Sequence, residues 1–251
     1  MIDIHSHLLP GLDDGAKSWD MTLKMCHLAI RDGITHIVAT PHADDTYAYS
    51  RDRVRDLVTE LGNKMGDQLA FSVGCDFHFS FENIEDAIAH PRRYTIASTR
   101  YLLVELSDYG IPPQVSHSLL RLQAAGMIPI ITHPERNAIL QRRPERVLEW
   151  VDAGCLAQVT ASAVTGFWGD TAQRVALWLL ENDAVHVLAS DAHDDKHRTP
   201  ILSDACAAVS KLFGESVART LVQDDPQAIV NGQPLLLPRR AGPRKLQQRN
   251  A

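Results

Sequence analysis

The sequence predicts an α/β fold closed into a barrel, and three observations carry that reading. Strand-like and helix-like segments alternate about seven times along 251 residues, with no composition break that would mark a linker; this pattern calls for parallel strands with helical crossovers. Histidines and acidic residues recur at the carboxyl ends of the successive strands. A doubly wound sheet explains that recurrence poorly, whereas in a barrel those ends converge on one rim, where barrel enzymes keep their chemistry.

The chain opens on a strand in which Ile2 and Ile4 alternate with Asp3 and His5. A period of two sends Asp3, His5 and His7 to one side, and Asp13 and Asp14 follow on a glycine-bounded turn. Ser18 caps a helix over 19–32 that stops at Gly33, with Thr22, Leu23, Cys26, Ala29 and Ile30 as its apolar stripe. A second strand, 34–40, ends at Pro41-His42, and a helix covers 53–65. A single third strand, 69–77, contains Asp76. The fourth, 100–106, carries Glu105. A helix from Pro112 to Gly126 uses proline at its entrance and glycine at its exit. The fifth strand, 127–132, runs into His133. A helix over 144–154 precedes the sixth strand, 155–160, which offers Gln158, Thr160 and Ser162 in place of a histidine or an acid. After a helix over 171–182, the seventh strand, 184–189, runs into Asp191 and His193. Helices fill most of 201–222 and 226–230. One domain over 1–238 and a basic, flexible tail over 239–251 are expected.

The bulk numbers exclude several classes. With 45% hydrophobic and 22% charged residues the chain is neither disordered nor fibrous. A formal charge of −6 leaves no nucleic-acid footprint. Cys26, Cys75, Cys155 and Cys206 lie far apart, as small apolar residues in a reducing compartment. The amino terminus starts directly in a strand, so no signal peptide is expected, and no apolar run approaches the ~18 residues of a membrane span. The expected location is the cytoplasm.

His5, His7, Asp14, His42, Asp76, Glu105, His133, Asp191 and His193 form the candidate metal ligands. Each alone has a bland explanation, but ligand-type residues from six strands on one rim do not. Histidine with carboxylate and no thiolate suits Mn, Fe or Zn. The set is too large for one ion, so two or three ions sharing a carboxylate are expected, with an activated water as nucleophile. Arg136 and Arg198 follow the ligand loops closely, and their guanidinium forks suit phosphate oxygens. Asp3 is expected to orient a ligand histidine from behind, and Asp13 to be a turn residue. His36 and His186 read as hydrogen-bonded core, His27 and His117 as helix positions, and His197 as rim; His78 shares a side with Asp76 and stays open.

The motifs His-Ser-His-Leu-Leu-Pro-Gly-Leu-Asp-Asp-Gly, Ala-Thr-Pro-His, Leu-Val-Glu-Leu, Thr-His-Pro-Glu-Arg-Asn and Ser-Asp-Ala-His with Arg198 cover nearly the whole domain. Together they resemble the PHP-domain metal-dependent bacterial protein-tyrosine phosphatases of the CpsB/CapC kind. The resemblance implies a distorted seven-stranded (β/α) barrel of the PHP type and a trinuclear site, manganese foremost, with Fe, Co or Zn as alternatives. It implies hydrolysis of phosphotyrosine on a protein, chiefly the tail of a tyrosine kinase that controls capsule and exopolysaccharide synthesis. It makes His5, His7, Asp14, His42, Glu105, His133, Asp191 and His193 ligands, and Arg136 and Arg198 phosphate binders. One position departs: the family places glutamate where this chain has Asp76, one methylene shorter at a bridging position.

The rival readings are a PHP phosphoesterase for a small phosphate (histidinol phosphate, a nucleotide or a sugar phosphate) and a non-catalytic metal-stabilised scaffold. An amidohydrolase in its usual binuclear form bridges the metals with a carboxylated mid-barrel lysine, and no lysine occurs between Lys64 and Lys196, which weakens that reading. Thiol chemistry would need a Cys-x5-Arg loop, also missing.

Overall fold

Residues 1–235 are described in a computed structural model; the expected tail at 239–251 lies outside them. The strands are β1 (Ile2–Ser6), β2 (His36–Ala39), β3 (His42–Ala43), β4 (Ala70–Val73), β5 (Asp76–His78), β6 (Tyr101–Glu105), β7 (Ile128–Thr132), β8 (Leu156–Thr160) and β9 (Val187–Ala189). All pair in parallel, in two sheets ordered β1-β2-β4 and β3-β5-β6-β7-β8-β9. β3 continues the path of β2 and β5 that of β4, so the segments make the seven staves of a distorted barrel. The ring closes where Ser6 bridges Ala192, with His7 N–H donating to Ala192 O at 2.8 Å and Asp191 N–H to His5 O at 2.9 Å.

The expected single strand over 69–77 is therefore two strands in different sheets. Pro41 has no N–H to offer the ladder, and Gly74 passes so close to the second stave that a Cβ there would meet Val38 Cγ1 at 2.9 Å and Thr40 Cγ2 at 3.0 Å. Only glycine fits that approach, and the two staves step from one sheet to the other together.

β1 also departs from simple alternation. Asp3 pairs with Ile37 and Ser6 with Ala39, so Ile4 and His5 share the space opposite Val38. This is a one-residue bulge, which re-aims everything after it. Ile2 and Ile4 pack into the inner cluster with Val38, Leu103 and Ile130, whereas His5 and His7 reach the rim. Asp3 is left facing Ser190, so the expected common direction of Asp3, His5 and His7 does not hold.

On other staves the alternation runs through. Tyr101 and Leu103 join the inner cluster and Glu105 follows on the same side; Leu156 leads to Gln158, and Val187 and Ala189 lead to Asp191. The barrel is thus plugged by apolar side chains below and opens into polar ones above. The opposite strand faces (Ile37, Leu102, Val104, Ile131, Ala157, Val159 and Leu188) form the larger core with the helices.

Helix α1 (Trp19–Asp32) begins and ends where expected, capped by Ser18 accepting from Met21 N–H and closed by Gly33 at φ +86°. Its buried stripe is Thr22, Met25, Cys26 and Ala29; Leu23 and Ile30 are only half-buried. The helix expected at 53–65 is α2 (Arg51–Met65), started earlier by the Ser50 cap. α3 (Phe81–Ala89), capped by Ser80, was not anticipated. α4 (Val115–Ala124) starts after Pro112-Pro113 rather than at them. Short α5 (Ala138–Arg142) precedes α6 (Glu145–Asp152), and α7 (Ala161–Val164) follows β8 directly. α8 (Asp170–Glu181), α9 (Ser203–Phe213), α10 (Glu215–Arg219) and α11 (Asp225–Val230) follow among the described residues, with a π-helical turn over Thr220–Asp224.

Candidate metal centre

The rim gathers all nine candidate ligands. His5 Nε2 lies 3.2 Å from His7 Nε2 and 3.3 Å from Asp76 Oδ2. His42 stands between Asp14 (3.4 Å from Nε2), Asp76 (3.3 Å from Nδ1) and Glu105 (3.5 Å from Nδ1). His193 Nε2 is 3.3 Å from Asp14, and His133 Nε2 is 3.4 Å from Glu105. Among the described residues three groups hold ligand atoms within 4.8 Å of one another: His7, Asp14, His42 and His193; His5, His7 and Asp76; and His42, Asp76 and Glu105. His133 lies outside these three. Asp191 does too, but its Oδ1 is 3.4 Å from both His5 and His7.

The donors suit a cation rather than one another. Both oxygens of Asp76, Oδ1 of Asp191 and Nδ1 of His42 are buried without a hydrogen-bond partner, an arrangement that costs free energy unless something positive occupies it. Burial works to raise the carboxyls of Asp76 and Asp191. His5 and His42 hold Asp76 well below the usual range, and His5, Arg136 and His7 do the same for Asp191. Burial and neighbouring Arg136 keep His133 neutral; burial and His7 lower His193 to about 4. Burial is outweighed at His5, where Asp76 and Asp191 raise the ring to about 9, and a cation would displace that proton. His133 and Asp191 sit at φ +32° and +51°, conformations uncommon for side chains with a Cβ. Both follow strand ends and turn the chain sharply into the rim.

Residues behind the rings fix their direction. Gln158 Oε1 is 2.9 Å from His5 Nδ1, so the sixth stave contributes after all. Asp13 Oδ2 is 2.7 Å from His7 Nδ1 and accepts from His42 N–H at 3.1 Å, while Oδ1 accepts from Gly15 N–H at 2.9 Å. Asp13 therefore does far more than shape a turn. Asp3 does less than expected for a ring: its carboxylate takes Ser190 N–H at 3.0 Å, Ser190 O–H at 2.5 Å and His5 N–H at 3.4 Å. It ties the first stave to the last and touches neither imidazole.

Arg136 and Arg198 both donate to Oδ2 of Asp191, Arg198 at 2.7 Å. Arg136 also reaches Thr160 Oγ1 at 3.4 Å. Trp168, which sequence reasoning missed, lies over both guanidiniums, with its ring 4.0 Å from Arg136 Cζ and 5.5 Å from Arg198 Cζ. On the opposite side an open cavity of about 360 Å³ is bordered by Asp14, His42, Tyr47, His78, Glu105 and Tyr109. His78 Nδ1 is 3.7 Å from Glu105 Oε2, and His197 lines the rim beside Arg198. His36 bonds Ser72 at 2.9 Å, and His186 Nδ1 accepts from Ala157 N–H at 3.1 Å, as core histidines should.

Comparison with known proteins places this geometry in a family context. The family model described as "Capsular polysaccharide synthesis, CpsB/CapC" matches residues 1–231. The chain is 30% identical to the tyrosine-protein phosphatase YwqE of Bacillus subtilis, over 89% of each chain. It is 31% identical to the putative tyrosine-protein phosphatase CapC of Staphylococcus aureus, over 94% of this chain and 91% of that one. A crystal structure described with YwqE from Bacillus subtilis and CpsB from Streptococcus pneumoniae, as metal-dependent tyrosine phosphatases, superposes with a TM-score of 0.90. It shares 29% identity and covers 98% of this chain and 100% of its own. A lactonase from Listeria monocytogenes, at 12% identity and TM-score 0.62 over 93% of this chain and 95% of its own, shares the fold alone.

Proposed function

The chain belongs to the CpsB/CapC family of capsular polysaccharide synthesis, and on that premise we propose that it is a metal-dependent protein-tyrosine phosphatase. One observation carries the reading. Asp191 turns Oδ1 toward His5 and His7 and Oδ2 toward Arg136 and Arg198, so a cation cluster and a two-arginine clamp share one carboxylate. A phosphoryl group is the ligand that matches both.

His5, His7, Asp14, His42, Asp76, Glu105, His133, Asp191 and His193 would hold two to three divalent ions. The three overlapping groups favour three ions; the nitrogen–oxygen donor set suits Mn, Fe, Co or Zn alike, and the resemblance to the family puts manganese foremost. Such ions supply Lewis-acid charge and make water a nucleophile at neutral pH. Arg136 and Arg198 bind the phosphoryl oxygens and stay in place as charge spreads over them in the transition state. Asp191 keeps the two guanidiniums together, and Gln158 and Asp13 keep His5 and His7 aimed. Burial pushes the thiols of Cys26 and Cys155 up to about 12, so neither is a thiolate nucleophile. A phenol, with an ordinary pKa of about 10, leaves with modest help.

The substrate in this reading is a phosphotyrosine protein, the tail of a bacterial tyrosine kinase governing polysaccharide export, and the family's link to capsule synthesis supports it. Among the described residues no helix is long and apolar enough to cross a membrane.

Rates on phosphotyrosine peptides, set beside histidinol phosphate, a nucleotide and a sugar phosphate, test the proposal. Turnover should favour the peptides, vanish with chelator and return with manganese. Activity that survives exhaustive chelation, or a preference for a small phosphate, would overturn it.

A further inference from the structure

Trp168 has no part in the reaction as described so far, yet its ring lies against both arginines of the phosphate clamp. It lies in the turn between α7 and α8, where Gly166 and Gly169 adopt φ of +92° and +85°. Its indole N–H donates to Ser162 Oγ at 2.9 Å, and Phe167 meets it edge-on at 5.5 Å and 82°. The ring is therefore fixed from two sides. A cavity of about 190 Å³ lined by Ser162, Thr165, Phe167, Trp168, His197 and Arg198 adjoins it.

We propose that Trp168 is a positioning residue that holds Arg136 and Arg198 as a pair for the phosphoryl group. The proposal rests on the reading of those arginines as phosphate binders. A guanidinium offers a face to an aromatic ring and its in-plane N–H groups to anions. Asp191 Oδ2 accepts from both arginines and the indole ring lies 4.0 and 5.5 Å from their Cζ atoms, so one carboxylate and one ring hold the pair together. Arg198 Nε is buried without a partner, a donor waiting for an acceptor. Without the ring, one shared oxygen would be the main anchor of two long side chains carrying the same charge.

The test uses metal-loaded W168F and W168L, with metal content, kcat and KM for a phosphotyrosine peptide, and the inhibition constant of inorganic phosphate. Metal content should be unchanged. W168L should weaken phosphate inhibition and raise KM by about tenfold, within the range of a desolvated cation–π contact, while W168F should stay within about threefold of the unsubstituted enzyme. An unchanged phosphate constant in W168L, or a W168F as weak as W168L, would overturn the proposal. R136A and R198A run in parallel separate the two failures. If they leave phosphate inhibition unchanged, the arginine assignment falls and takes this proposal with it. If they weaken it and W168L does not, only the role of Trp168 falls. Should W168L not fold, tryptophan emission decides: phosphate should alter it in the unsubstituted enzyme and not in W168F, and a change of equal size in W168F would overturn the proposal.

Discussion

His7 Nδ1 and Asp13 Oδ2 meet at 2.7 Å, both buried, and the same carboxylate holds the main-chain N–H groups of Gly15 and His42. One side chain thus couples the first stave, the turn after it and the second stave. Asparagine keeps its shape but has one acceptor oxygen where Asp13 uses two. D13N should fold and bind metal about 10- to 100-fold more weakly, the usual effect of losing a group behind a ligand histidine. Titration against a competing chelator measures this, and unaltered affinity would deny Asp13 that role.

The overlap of the three ligand groups predicts an ordered loss of metal. Asp14 belongs to one group and Asp76 to two. Metal analysis after dialysis should therefore find D14N short of one ion per chain and D76N short of two. Equal deficits would mean that Asp76 does not bridge.

Gly15 is a steric test of the same region. A Cβ there would come 2.1 Å from His7 O and 2.5 Å from His7 Cβ, and main-chain atoms cannot move aside as a flexible side chain would. G15A should cost about 1–3 kcal/mol and lower metal occupancy together, read by thermal unfolding and metal analysis. A G15A protein with normal stability would show that the turn has room to shift.

Much of the rim was legible because a strand that ends in histidine or acid needs only its own alternation to be recognised. His42, Glu105, His133 and Asp191 were found that way, and Gly33 and Ser18 bounded α1 by local chemistry alone. The bulge at Ile4 and His5 has no such marker: it exists because of what β2 places opposite, and it reversed the expected direction of Asp3. The split third strand was masked by a continuous apolar run, although Gly74 carried the hint. Asp13, Gln158 and Trp168 acquire their roles from contacts made across the barrel or across turns, which no spacing rule encodes. Ser80 before α3 is the same local signal as Ser18 before α1.

The two arginines are open to a graded test. Lysine keeps the charge of Arg136 but loses the planar fork and the face that stacks on Trp168. R136A should lower kcat/KM by about 100-fold or more, as removal of a transition-state donor does, and R136K should recover only a small part of that. Full recovery in R136K would show that charge alone suffices.

His186 predicts a pH effect on stability away from the metal centre. Its Nδ1 accepts from Ala157 N–H, which requires the neutral ring, and burial lowers its pKa from 6.5 to about 4. Between those values the unfolded chain binds a proton that the native chain refuses. The contribution is therefore present above pH 6.5 and lost as pH falls toward 4, by about 3 kcal/mol in all. H186Q has no proton to take up. In urea unfolding with metal in excess, the unsubstituted protein should lose that much stability relative to H186Q between pH 7 and pH 4. Pairing the two proteins cancels the protonation of the candidate metal ligands, which are the same in both. A difference that stays constant across this range would mean that His186 takes up its proton as readily in the native state as in the unfolded chain, at odds with its role as an acceptor.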